Sequence, residues 1–247
     1  GIGAYGEEVG EADPEGGPPH RRDQVLHPHT YVVGEGASID YVRAVGNVLL
    51  NTWDSEFTLS TNDEGAQASL RKAHRERDRF GDECLDFQRV RHFEVAYNEV
   101  SWGGKEGIDL MNGSAHGRAH HNYIHDIFVH EWFPGGKIGI YLDPRLGGSD
   151  LEVDHNVVER AGTGIRICNE SGAAYSHYRI HHNLVLHNRA IGIDVRGKGI
   201  WDGQIAHHVE VTNNTSYRNG LFTPYGGAGG GAGISIRGGR GLADVTV

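Results

Sequence analysis

Hydrophobic residues in the second half of this chain come in short, spaced bursts rather than in helical stripes. In "YRIHHNLVLHNRAIGIDV" (178–195), an alternating piece, Tyr178-x-Ile180, is followed by an Asn, then Val185, then a Gly-Ile pair. The same order recurs in "FEVAYNEVSWGGKEGIDL" (93–110), "GRAHHNYIHDIFVHEWFPGGKIGIYL" (117–142), "LEVDHNVVERAGTGIRI" (151–167) and the segment 209–236. The copies align on Asn98, Asn122, Asn156, Asn183 and Asn214. Alternation over so few residues predicts short, half-buried strands. Three such strands per copy, repeated at a loose period, predict a parallel β-helix in which stacking supplies the core that no single turn can bury. The Asn suits an inward bend, where its amide can bond to the Asn one turn above and below.

The alignment predicts a second row. Four residues before each Asn stand Glu94, Arg118, Glu152, Arg179 and Glu210, alternating in sign. Equivalent residues on neighbouring turns lie about 4.8 Å apart, so opposite charges there form a cross-strand ladder. This row is read as structural. An earlier turn fits around Asn47, with Arg43 joining the row and Phe57 and Leu59 as its third strand. Residues 1–39, rich in Gly, Pro and Glu, are expected to be irregular, and 40–247 to form the β-helix. The charged stretch 63–80 is an insertion, read as a surface helix or lid, after which the repeat resumes at Leu85.

Asn-centred turns and Gly-Ile strands together resemble the right-handed parallel β-helix proteins of the pectate-lyase-like superfamily. The resemblance implies an all-β, right-handed solenoid, here of about six or seven turns, and a carbohydrate-active protein that is secreted or at the cell surface. "GDECLDF" (81–87) and "GKEGIDL" (104–110) are similar to the acidic turns of polygalacturonases, but Lys105 stands where an acid is wanted and no Gly-His-Gly occurs. No catalytic assignment is therefore carried over from that family.

Composition narrows the field. Thirty-eight Gly and one Met fit turns and short strands rather than a helix bundle. A net charge of −10 argues against non-specific nucleic-acid binding. No stretch approaches a membrane span, so neither nucleic acid nor membrane is an expected partner. Cys84 and Cys168 fall three turns apart, about 14 Å, too far for a disulfide. The final "LADVTV" aligns with the first strand of a turn. The expectation is a chain broken off within a repeat, whose uncapped last rung invites self-association.

Candidate chemistry follows from the loops. Long insertions border the Gly-Ile strands on both sides, which predicts a trough floored by that sheet, the default place for a binding site. The floor positions after the Ile are Asp86, Asp109, Tyr141, Arg166, Asp194 and Ser235; two residues on come Gln88, Met111, Asp143, Cys168, Arg196 and Arg237. Two residues before the Gly stand Lys105 and Lys137. Asp86 and Asp109 should be about 5 Å apart, and Asp109 and Asp143 roughly 8 Å, spacings that suit retaining and inverting carboxylate pairs respectively. The first reading is hydrolysis of a polysaccharide or oligosaccharide by Asp109 and Asp143. The alternative is β-elimination, with Lys137 or Arg166 as base and Ca²⁺ as a cation that would neutralise a uronate. A third reading is a non-catalytic glycan-binding or structural β-helix. Asp86, Lys105, Tyr141, Asp194 and Arg196 are candidate substrate contacts, with Trp132 and Trp201 in the wall loops placed to stack on sugar rings. His121, His155 and His182 each precede the Asn and should stack. A straight row of one residue type does not set tetrahedral zinc geometry, so no metal is assigned to it.

Overall fold

The structure, a computed structural model, describes residues 30–33, 39–50, 83–103, 105–127, 137–168, 173–197, 206–220, 231–238 and 241–247. Within them the chain winds through stacked rungs. The first rung holds β1 (Thr30–Val33), β2 (Ile39–Asp40), β3 (Arg43–Val45) and β4 (Val48–Leu50). The second holds β5 (Leu85–Gln88), β6 (Val90–Ala96) and β7 (Glu99–Ser101), and the third β8 (Glu106–Met111), β9 (Ala115–His120) and β10 (Tyr123–His125). The fourth has β11 (Ile138–Asp143), β12 (Gly148–Asp154) and β13 (Val157–Glu159); the fifth β14 (Thr163–Cys168), β15 (Tyr175–His181) and β16 (Leu184–Leu186). The sixth has β17 (Ile191–Arg196), β18 (His207–Thr212) and β19 (Thr215–Tyr217); the last β20 (Ala232–Arg237) and β21 (Val245–Thr246).

These strands form three parallel sheets. Sheet one runs β1-β5-β8-β11-β14-β17-β20, sheet two β2-β6-β9-β12-β15-β18-β21 with β3 beside β6, and sheet three β4-β7-β10-β13-β16-β19. Strand β1 lies inside the 1–39 segment expected to be irregular and pairs with β5. Phe57, Leu59 and the 63–80 insertion lie outside the described residues.

The Asn register holds. Each Asn amide donates to the next: Asn47 to Asn98 at 2.9 Å, Asn98 to Asn122 at 2.8 Å, Asn122 to Asn156 at 2.9 Å, Asn156 to Asn183 at 3.0 Å and Asn183 to Asn214 at 2.9 Å. The backbone N–H of each Asn donates to the same acceptor oxygen, so the inward turn leaves no orphan donor on these residues. A second, shorter ladder joins Asn188 to Asn219 at 2.9 Å.

Two backbone constraints explain the rest of the repeat. The Gly of each Gly-Ile pair turns its missing side chain inward, against the next rung. A β-carbon on Gly107 would lie 2.6 Å from the Gly139 carbonyl oxygen, and one on Gly164 2.6 Å from that of Gly192. The corners, by contrast, use left-handed non-glycine residues stacked in columns. His92, His116, Asp150, His177 and His208 form one; Tyr97, His121, His155, His182 and Asn213 form another; all have φ between 52° and 57°. Asn, Asp and His tolerate this conformation better than most residues. The histidine abundance is therefore largely a property of the corners. His121, His155 and His182 stack with ring centres 5.0 and 5.1 Å apart.

One apolar core runs through the solenoid, built from the inward Ile, Leu and Val of all three sheets, including Ile108, Ile140, Val153, Ile165, Ile180 and Ile193. Cys84 and Cys168 are both buried and free.

Candidate functional site

Sheet one aligns Asp86, Asp109, Tyr141, Arg166, Asp194 and Ser235 in one outward row, rung by rung. Beside it, Asp143 lies level with Met111, and Cys168 with Arg196 and Arg237. The alternation that sends Ile108 and Leu110 into the core sends Asp109 out. The expected open floor is not what is found. Asp86, Asp143 and Asp194 are fully buried, and Asp109, Tyr141 and Lys137 are 1, 4 and 5% exposed. Trp132 and Trp201, expected on the walls, lie outside the described residues.

At the N-terminal end of the row, burial and crowding gather four carboxyl groups: Glu83, Asp86, Glu106 and Asp109. One oxygen each of Glu83, Glu106 and Asp109 lie within 4.8 Å of one another. Asp86 Oδ1 and Asp109 Oδ1 are buried and accept no hydrogen bond from the described residues. Burial, then the like charges of Glu106, Asp86 and Glu83, push the Asp109 carboxyl well above its ordinary range. Burial likewise lifts Asp86 to about 7, against a 2.5 Å hydrogen bond donated by Gln88. Burial lowers the Lys137 ammonium to about 8, opposed by the attraction of Glu106. Lys105 is the exposed edge of the cluster: its side chain is 45% accessible and its Nζ lies 2.7 Å from Glu83 and 3.6 Å from Glu106. Burial works to lower the Lys105 ammonium, but Glu106 and Glu83 outweigh it and raise it.

Glu83 and Glu106 were not among the predicted floor residues. Counting outward positions by strict alternation from the Ile passes over them. Two consecutive residues, Gly107 and Ile108, face inward at the corner, and this resets the alternation so that Glu106 faces out. The signal was present in the glycine, because Gly107 has no room for a side chain.

Asp143 is a further like charge that acts to raise Asp109. Arg145 Nε donates to Asp143 Oδ2 at 2.5 Å, an ion pair between a buried carboxylate and a part-exposed guanidinium. At the other end of the row Asp194 is ringed by arginines: Arg196 Nε at 2.6 Å, Arg166 Nε at 3.3 Å and Arg237 Nε at 3.6 Å. Arg166 also donates to Thr163 at 2.9 Å, and burial followed by the charge of Arg196 lowers its guanidinium. Tyr141 donates to the Cys168 carbonyl at 2.8 Å and separates the acidic end from the basic end. An arginine tied to a carboxylate in this way is a charge-bearing anchor, whereas Lys137 has the lowered affinity for its proton that a base needs.

The outer face of sheet two is different. Arg43, Glu94, Arg118, Glu152, Arg179 and Glu210 are in register on consecutive rungs. Arg43 meets Glu94 at 2.5 Å and Arg179 meets Glu152 at 2.9 Å. Arg118 instead reaches along the sheet to Asp154, with two bonds of 2.7 and 2.6 Å. His120 and His181 add contacts to Glu94 and Glu152 at 3.0 and 2.8 Å. This face is exposed and shallowly hollow, with a concavity of about 480 Å³ bordered by Arg118, Asp150, Glu152, His177, Arg179 and Glu210.

Residues 79–247 match the family model of the right handed beta helix region. The chain belongs to this family. The match takes in every rung but the first, including the acidic cluster and both charged faces. No curated protein and no solved structure matches the chain. Members of the right handed beta helix family share a fold common in carbohydrate-active enzymes, which fixes the scaffold and leaves the chemistry to the site.

Proposed function

We propose that this β-helix cleaves a polysaccharide at the acidic end of sheet one, by hydrolysis between carboxyl groups. The observation that carries the reading is the burial of Asp109 against Glu106, Asp86 and Glu83, which raises its affinity for a proton well above that of an ordinary carboxyl. A proton held there serves as a general acid for a leaving glycosidic oxygen. A neighbouring carboxyl group, with oxygens of Glu83 and Glu106 within 4.8 Å of one on Asp109, serves as nucleophile or base. Asp109 keeps its role from the sequence, while Glu106 takes the place of Asp143. Lys105, at the accessible edge, and Tyr141, beside Asp109 on the next rung, are the nearest substrate contacts. Arg166, Asp194 and Arg196 belong to the basic end. Secretion or display at the cell surface fits a polymeric substrate.

Lys137 supports a second reading, β-elimination from a uronate. Its amine is partly neutral near pH 8 and lies within the influence of Glu106. The carboxylates of Glu83, Glu106 and Asp109 fit a Ca²⁺ ion, which takes six to eight oxygens at roughly 2.3–2.6 Å. The buried Asp109 Oδ1, which accepts no hydrogen bond from the described residues, is a ready ligand. Bound there, the ion would supply charge neutralisation of the substrate carboxylate. Incubation with a panel of neutral and uronate-containing polysaccharides separates the two. New reducing ends without ultraviolet absorbance support hydrolysis; absorbance of an unsaturated uronate, lost with chelator, supports elimination. Binding with neither product leaves a glycan-binding β-helix and sinks both.

A further inference from the structure

The alternation of charge on sheet two is self-complementary, and this points to a partner. Numbered by rung, the outward row reads Arg43, Glu94, Arg118, Glu152, Arg179, Glu210. Reversed, it reads with every sign inverted. A second copy laid face to face with its solenoid axis antiparallel therefore sets each charge against its opposite, whereas a parallel copy sets like against like.

We propose that the outer face of sheet two is an isologous interface between two antiparallel copies of this chain. The two-fold axis runs along the strands, between the third and fourth rungs. Arg118 then faces Glu152 of the second copy, Glu94 faces Arg179, and Arg43 faces Glu210, each pair occurring twice as a two-fold requires.

One flanking column gives a further opposed pair under the same operation. His116 on the third rung meets Asp150 on the fourth, which it already approaches at 3.2 Å within its own chain. Tyr97 on the second rung, exposed at the corner, meets the edge of the His182 ring on the fifth. The side chains are available for such contacts. Arg43, Arg118, Asp150 and Arg179 remain 69, 44, 48 and 53% exposed despite the ion pairs within their own face.

The size of the face sets the strength. Six rungs at about 4.8 Å span roughly 24 Å, and the five residue steps from His116 to His121 roughly 17 Å. That gives about 400 Å² per copy, roughly 800 Å² in total, the size of a weak, transient contact rather than of a standard interface. The two hollows meet at the axis and leave space for water-bridged contacts. Charge complementarity of this kind fixes register and orientation more than affinity, so the dimer is weak and sensitive to salt.

The test is sedimentation velocity on the whole chain at about 100 µM, in low salt and in half-molar NaCl. The expected result is a dimer in low salt that dissociates in high salt. Arg179→Glu and Glu94→Arg each place two pairs of like charges across the axis and should each be monomeric. Mixed one to one, they restore both opposed pairs and should form a heterodimer. A ladder that acts only within one chain destabilises both variants but gives no rescue on mixing. Circular dichroism confirms that each variant is folded; if either is not, Arg43→Glu with Glu210→Arg carries the same test at the rim. A monomeric wild type in low salt, single variants that still dimerise, or a mixture that stays monomeric would each overturn the proposal. So would loss of oligosaccharide binding in Arg179→Glu with no change in mass, since the face would then serve a glycan.

Discussion

Sheets one and two each stack ionisable groups in a row on the outer face, yet the two rows follow opposite electrostatics. On sheet two the charges alternate, stay exposed and find partners within a rung or between neighbours. On sheet one the acids of the second and third rungs are adjacent and buried, with Lys105, Lys137 and Arg145 among the described cations that act on them. Exposure makes the first row cheap to keep and worth little per pair. Burial makes the second costly, and the cost appears as a raised proton affinity, with Asp86 lifted to about 7 and Asp109 well above its ordinary range. The same repeat built both rows. What separates a ladder from a candidate site is burial among like charges, the condition under which a shifted proton affinity becomes useful chemistry.

The sharpest way to break this contrast is Asp109→Asn. The amide preserves shape but cannot release a proton, so turnover on the cleaved polysaccharide should fall by about 10²–10⁴-fold. The thermal midpoint at pH 7 should not fall, because burial and the like charges around Asp109 already work against its anion. Unchanged turnover in a folded Asp109→Asn protein would move the chemistry elsewhere.

A buried acid of sheet two should behave in the opposite way. Burial alone would raise Asp154, but Arg118 and His155 outweigh it and hold the carboxyl at about 2. Its folded affinity for a proton is thus below the unfolded one. The stabilisation is complete above the unfolded value near 4 and is lost as pH falls through about 2. Asp154→Asn should cost about 1–2 kcal/mol at pH 7, since it removes the charged partner of a half-exposed Arg118. Denaturant melts at pH 7 and pH 2.5 should show that penalty shrinking; an equal penalty at both would mean that the charge is not what matters.

Asp86→Asn tests the same linkage with its sign reversed. The folded carboxyl titrates at about 7 and the unfolded one near 3.8. Between these values the folded state keeps a proton that the unfolded state has released, so stability falls as pH rises across that window. The variant should be more stable than wild type by about 1–3 kcal/mol at pH 8 and indistinguishable from it at pH 4. A loss of stability at pH 8 would show that the Asp86 anion is favoured rather than tolerated.

The sequence disclosed the scaffold more fully than the site, for a physical reason. Side chains that repeat at a fixed offset must stack, so the Asn ladder, the Gly-Ile strands and the charge row of sheet two could all be placed by counting. Asp86, Asp109, Tyr141, Arg166 and Asp194 fell into one row by the same count. Counting failed where the backbone departs from alternation. The inward Gly107-Ile108 pair brings out Glu106, and Cys84 in the glycine position does the same for Glu83. Burial was also beyond reach, because it depends on what lies over the sheet rather than on the period along it. Seventeen histidines invited a metal reading, and the left-handed corners account for many of them instead.

The smallest effect belongs to the most visible feature. Arg179→Gln removes one charge from the middle of the sheet-two ladder while keeping most of the side chain's length and its hydrogen-bonding capacity. Arg179 bonds Glu152 at 2.9 Å, lies level with Glu210 on the next rung, and has a side chain 53% exposed. Solvent screens both interactions, so the loss should be about 0.5–1 kcal/mol in low salt. It should fall towards zero in half-molar NaCl, where the Debye length is only about 4 Å. The measurement is a pair of urea melts at the two salt concentrations, made at micromolar protein so that association does not contribute. A loss above 2 kcal/mol, or one indifferent to salt, would mean that Arg179 contributes by packing its stem rather than by charge. The two faces would then differ in burial but not in the way argued for their electrostatics.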